Sequence, residues 1–121
     1  MTGIEGLSIK IFADGADLAA MQALYKRPYV RGVTTNPTLT RKAGITDYAS
    51  FAREVLTAIP DRPLSFEVFS DEFDEMERQA RTIAAWGQDV YVKIPVSNTR
   101  GEPAYELVRR LSEDGLQINV T

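Results

Sequence analysis

The sequence contains no cysteine and no histidine. Without cysteine there is no disulfide, no thiolate nucleophile and no thiolate metal ligand. Without histidine, a Ser-His-Asp triad and imidazole-based metal sites are excluded too. No apolar run approaches the roughly 20 residues of a membrane-spanning helix. The polar start Met1-Thr2-Gly3-Ile4-Glu5 lacks a secretory-signal pattern. A G-x-G-x-x-G or phosphate-loop signature is also missing, so a nucleotide cofactor has no support. The formal net charge is −3, which provides no overall basic field for nucleic acid or an anionic membrane. These absences lead us to expect a cytoplasmic protein that works without metal or cofactor and binds neither nucleic acid nor membrane.

What the chain does have is a set of short apolar runs, each ending in a polar residue. Asp14 follows Ile9-Lys10-Ile11-Phe12-Ala13. Asn36 ends Gly32-Val33-Thr34-Thr35-Asn36, and Glu67 lies in Leu64-Ser65-Phe66-Glu67-Val68. Lys93 lies in Val90-Tyr91-Val92-Lys93-Ile94, and Thr121 ends Gln117-Ile118-Asn119-Val120-Thr121. Between 22 and 31 residues separate successive members of this set. A βα unit of an eight-stranded barrel occupies roughly 30 residues, so the interval is that of a repeated βα unit. Neighbouring residues of a strand face opposite ways. That puts Ile9, Ile11, Ala13, Val33, Phe66, Val68, Val90, Val92, Ile94, Ile118 and Val120 on apolar faces. Asp14, Thr34, Asn36, Glu67, Lys93, Asn119 and Thr121 fall on the opposite faces. A purely structural sheet buried on both sides should be apolar on both. Polar groups at the C-terminal ends of parallel strands are where α/β barrels place their active sites.

Lys93 stands out among them. Burying an ammonium is costly unless it is paired or neutralised, and a neutral lysine amine attacks carbonyl carbon. Asp14 and Glu67 oppose neutrality, because nearby carboxylates favour the ammonium. One of them is therefore expected to be protonated or separated from the amine by water.

Four helices are predicted between the strands. The first carries Leu18, Met21 and Leu24, with Asp17 as N-cap. The second carries Tyr48, Phe51, Ala52, Val55, Leu56 and Ile59, capped by Thr46 or Asp47 and closed by Pro60. Phe73, Met76, Ala80, Ile83 and Ala84 mark the third. Leu107, Val108 and Leu111 mark the fourth, which exits at Asp114-Gly115. The acidic stretch Asp71, Glu72, Asp74, Glu75 and Glu77 suits a solvated helix N-terminus, and Ser97–Pro103 reads as a connector. Alternating β and α elements imply a parallel sheet with right-handed crossovers. With 121 residues, 44% of them hydrophobic, the chain is expected to form one domain, about half of a closed α/β barrel.

Two motifs, Gly32-Val33-Thr34-Thr35-Asn36-Pro37-Thr38-Leu39 and Val92-Lys93-Ile94-Pro95-Val96, make the chain resemble the transaldolase family, including its fructose-6-phosphate aldolase branch. Asp14, Glu67 and Ile118-Asn119-Val120-Thr121 support the match, which runs in order over nearly the whole chain. The resemblance implies a TIM-type parallel (β/α) barrel, with about its first five strands and four helices present here. It also implies a cofactor-free reaction of carbohydrate metabolism, of the pentose phosphate kind. In that reaction Lys93 forms a Schiff base with a ketose phosphate. Asp14 moves the proton of the sugar hydroxyl during carbon–carbon cleavage, and Glu67 with Thr121 holds the proton-shuttling water. Asn36 and Asn119 bind hydroxyls of the dihydroxyacetone unit, supported by Thr34. Transfer of that unit to an aldose phosphate is the leading expectation. Simple aldol cleavage, an unusual sugar substrate and a non-catalytic half-barrel binding module are the alternatives.

The family's later strands, with its phosphate-binding serine and arginine, have no counterpart in these 121 residues, and Arg100, Arg109 and Arg110 do not match those positions. The domain is thus expected to continue beyond residue 121, or to be completed by a homo-oligomer or a complementing C-terminal half-barrel.

Overall fold

In a computed structural model, which describes Gly6 and residues 8–121, successive strands from Ile11 onward are separated by one or two helices. The polar stretch Met1–Glu5 noted above lies outside the described residues. The order is β1 (Ile11–Asp14), α1 (Leu18–Tyr25), β2 (Val30–Thr34), α2 (Pro37–Lys42), α3 (Tyr48–Ala58), β3 (Leu64–Glu67), α4 (Phe73–Ala84), β4 (Val90–Ile94), α5 (Tyr105–Glu113) and β5 (Ile118–Val120). Strand order follows chain order, β1-β2-β3-β4-β5. The fold class is α/β, of the parallel (β/α) TIM-barrel type, with five of its strands here. Among the described residues, no helix is long and apolar enough to cross a membrane. The chain divides into two compact units, Met1–Leu64 and Ser65–Thr121, with the division inside β3.

In the first unit β1 and β2 pair in parallel, matching Ile11 with Val30, Phe12 with Gly32, Ala13 with Val33 and Asp14 with Thr34. The register skips Arg31, a β-bulge that leaves this side chain exposed. The strand that enters β3 is reached through the Val33 N–H, which donates to the Pro63 carbonyl at 3.0 Å. Helix α1 starts where Asp17 accepts from the N–H groups of Ala19 and Ala20, and its Met21 is buried. Asp47, not Thr46, caps α3 by accepting from the Ser50 N–H, and Phe51, Ala52 and Val55 form the buried stripe. Helix α2 was not expected from periodicity. Asn36 is its N-cap and Pro37 its first residue, a pairing that suits a helix start because proline lacks the N–H that would go unpaired there.

Gly32 is required by close approach. A Cβ at this position would sit 2.6 Å from Cε2 of Phe12 and 2.8 Å from the Pro63 carbonyl oxygen. The ring has some freedom to move, but the backbone oxygen is held by the Val33 hydrogen bond. Gly32→Ala should destabilise the first unit by about 1–3 kcal/mol, the usual cost of overpacking. Urea denaturation monitored by circular dichroism would measure the loss.

In the second unit β4 lies between β3 and β5. The Val68 N–H donates to the Lys93 carbonyl at 3.2 Å, and the Val92 N–H donates to the Gln117 carbonyl at 2.8 Å. The β4–β5 register is Val92 with Ile118, Lys93 with Asn119 and Ile94 with Val120. Helix α4 packs on β4 and α5 on β5, and Met76, Ala80, Ile83, Leu107 and Leu111 of the helices are buried, as are Phe66, Val92 and Ile94 of the strands. Each large side chain so buried contributes about 1.5–3 kcal/mol. Trp86 meets the Phe66 ring edge-on, with centroids 5.5 Å apart. The acidic stretch falls as expected, with Glu72 at the N-cap of α4 and Asp74 and Glu75 in its first turn. On β5 the two-faced pattern weakens, since Val120 remains half exposed.

Candidate functional site

Lys93 is the centre of the candidate site in the second unit. Only 8% of the residue is exposed, because the β4 strand runs between two neighbours and its flanking Val92 and Ile94 are wholly buried. Its Nζ lies 3.9 Å from Oε1 of Glu67 on β3, beyond the ~2.7–3.2 Å of a direct hydrogen bond. Burial pushes the Glu67 carboxyl above its ordinary pKa, and the attraction of Lys93 opposes this without cancelling it. Of the two carboxylates that oppose a neutral Lys93, Glu67 is shifted toward its protonated form by burial. Asn119 is the register partner of Lys93 on β5, so both side chains leave the sheet on the same face. Thr121 lies two residues further along that face. It is tied to the end of β4 through its N–H to the Ile94 carbonyl (2.9 Å) and its carbonyl to the Val96 N–H (2.7 Å). Asn119 and Thr121 are both exposed.

The raised pKa of Glu67 has a consequence for stability. Below the ordinary value of 4.5, folded and unfolded chains both hold the proton. As pH rises from there, the unfolded chain releases it first, so stability falls until the raised folded pKa has been passed. Glu67→Gln cannot pay this cost. Relative to wild type its stability should be equal in acid and higher near neutrality, measured by urea midpoints followed through Trp86 fluorescence. A difference constant with pH would contradict the argument.

In the first unit, Asp14 and Thr34 are register partners at the ends of β1 and β2. Asp14 is exposed. Thr34 Oγ1 is buried and has no hydrogen-bond partner among the described residues. Asn36 has a structural task that the motif alone did not reveal, since its Oδ1 accepts from the Leu39 N–H at 2.9 Å. What remains for a ligand is its amide NH₂.

Two features of the second unit were not legible as site features. Asn98, in the loop after Lys93, is 6% exposed, and the connector it belongs to is extensively hydrogen-bonded. The arginines are also committed: Arg78 to Glu75, Arg81 to Glu77 and Asp114, Arg100 to Asp71, Glu72 and Glu102, Arg109 to Glu106 and Glu113, and Arg110 to Glu77. Binding a phosphate through any of them would break an existing pair. Asp71, Glu77, Glu102 and Glu106 are all held below the ordinary carboxylate range, led by hydrogen bonds from Thr99, Arg110, Asn98 and Arg109 respectively.

The arrangement suits amine chemistry, with a buried lysine on a central strand beside a carboxyl that resists ionisation and an amide able to hold a hydroxyl. Residues 11–121 match the model of the transaldolase/fructose-6-phosphate aldolase family. A probable transaldolase of Dehalococcoides mccartyi is 37% identical over 113 residues, which are 93% of this chain and 50% of that protein. A probable transaldolase of Streptococcus pyogenes is 39% identical over the same shares of each chain. The chain thus spans about half the length of the curated relatives it matches. It belongs to the transaldolase/fructose-6-phosphate aldolase family.

Proposed function

We propose that the protein contributes the Schiff-base half of a class I transaldolase site, and that Lys93 is the nucleophile. The observation that carries this reading is a buried Lys93 amine 3.9 Å from the Glu67 carboxyl, a combination that a scaffold does not need and that costs stability. The amine adds to the ketone of a ketose phosphate, and loss of water gives the imine. Glu67 with Thr121 holds the water that relays protons in that step. Asn119 and the Asn36 amide bind hydroxyls of the dihydroxyacetone unit, and the Thr34 hydroxyl adds to the same recognition. Asp14 takes the proton of the sugar hydroxyl next to the breaking carbon–carbon bond. An aldose phosphate leaves, and the enamine stays on Lys93. Attack of the enamine on a second aldehyde gives transfer; protonation and hydrolysis give net aldol cleavage.

The reaction needs neither metal nor cofactor, because the imine itself withdraws the electrons of the breaking bond. A cytoplasmic setting accompanies this reading, since sugar phosphates are cytoplasmic metabolites. The β5 edge is where a further strand, from a second copy or a complementing half-barrel, would pair. Incubation with fructose 6-phosphate, with and without an aldose phosphate acceptor, tests the reaction. Products that require the acceptor indicate transfer, and acceptor-independent release of dihydroxyacetone indicates aldol cleavage. No turnover by the chain even when paired with a family C-terminal half would support the binding-module alternative.

A further inference from the structure

The loop Ser97–Pro103 leaves β4 four residues after Lys93 and is closed by its own hydrogen bonds. Ser97 and Pro103 form an antiparallel bridge, and Gly101 takes the left-handed backbone (φ 79°) that the turn needs. At the centre is the buried Asn98 side chain. Its Oδ1 accepts from the N–H groups of Arg100 (3.1 Å) and Glu102 (3.0 Å), while Nδ2 donates to the Glu102 carboxylate (2.9 Å). From this knot the loop reaches the segment that follows β3. The Thr99 N–H and hydroxyl donate to the two oxygens of Asp71 at 2.8 and 2.6 Å, and the Arg100 guanidinium donates to Glu72 at 3.0 Å.

Asp71 follows Glu67 by four residues and Thr99 follows Lys93 by six. The same chain segments therefore carry the Lys93–Glu67 pair and, just beyond it, this tie. On the other side of β4, Val96 is held to Thr121 by a 2.7 Å hydrogen bond. A surface connector does not require a buried amide that satisfies three partners. A lysine that must meet a carbonyl in one geometry does require a fixed strand end, because misplacement by about 1 Å costs on the order of 10²-fold in rate.

We propose that Asn98 is a positioning residue for Lys93: the knot it closes ties the exit of β4 to the exit of β3 and holds the Lys93 amine at its place beside Glu67. This inference rests on the Schiff-base reading. The test is the rate of imine trapping with dihydroxyacetone and borohydride, read by mass spectrometry, with Trp86 fluorescence recording the integrity of the second unit. Asn98→Ala should trap roughly ten- to a hundredfold more slowly, with the half-saturating dihydroxyacetone concentration little changed and the Trp86 signal retained. At the other end of the tie, Asp71→Ala should also slow trapping. Asp71→Asn, which keeps an oxygen for the Thr99 N–H, should recover most of the rate. If Asn98→Ala loses its fluorescence signature, the Asp71 pair decides, since those changes lie outside the buried knot. Wild-type trapping rates in Asn98→Ala, or equal rates for Asp71→Ala and wild type, overturn the inference alone. Failure of the wild-type chain to trap overturns the Schiff-base reading, and this inference with it.

Discussion

Replacing Lys93 with alanine should abolish imine formation and turnover and leave the fold close to wild type. The substitution removes the amine proposed to form the carbon–nitrogen bond, so no residual rate through the imine is expected at this site. Stability should suffer little, because the substitution takes a polar group out of a position that is only 8% exposed. Lys93→Arg should be as inactive as Lys93→Ala. A guanidinium keeps its proton at any working pH and presents a planar, delocalised group where a free amine is needed. The two variants separate chemistry from charge, since arginine retains the positive charge beside Glu67. Turnover of fructose 6-phosphate, assayed with and without an aldose phosphate, checks both. Appreciable activity in either variant would show that Lys93 serves some purpose other than covalent catalysis.

Asp14→Ala should slow carbon–carbon cleavage by about 10²–10⁴-fold, the usual contribution of a positioned general acid–base group. It should slow imine formation far less. Asp14 ends β1 as the register partner of Thr34, and its carboxylate is exposed, so truncation leaves no cavity and the first unit should remain folded. Comparing single-turnover trapping with steady-state cleavage would measure the split. Equal losses in both would assign Asp14 to imine formation or to structure.

The strand ends could be read from the sequence because of two regularities. Apolar residues at alternate positions mark the strands, and the interval between Asp14, Asn36, Glu67, Lys93 and Thr121 marks the βα unit. Asp17 and Asp47 were legible as helix caps because short polar side chains favour that place. Helix α2 was not, since six residues are too few for a helical period to appear. Its start was nevertheless written in Asn36-Pro37, the very pair that carries the family motif, and Asn36 therefore serves the helix as well as any ligand. The strand limits shifted for a local reason. Ile9 is 69% exposed and outside β1, while β2 begins at Val30, before the bulge at Arg31 that brings Gly32 under the Phe12 ring. Asn98 was hidden for a different reason. Its burial arises when the loop closes on it and Thr99 reaches Asp71, a contact across 28 residues that no spacing within the loop announces.

The central claim is that Lys93 forms the imine, and borohydride trapping followed by peptide mass spectrometry tests it most directly. Incubated with dihydroxyacetone or a ketose phosphate and reduced, the wild-type chain should carry one stable adduct, a secondary amine on the peptide containing Lys93. The adduct should be absent without borohydride and absent from Lys93→Ala. An adduct spread over the exposed lysines, or none on Lys93 while the sugar is still being turned over, would contradict the account.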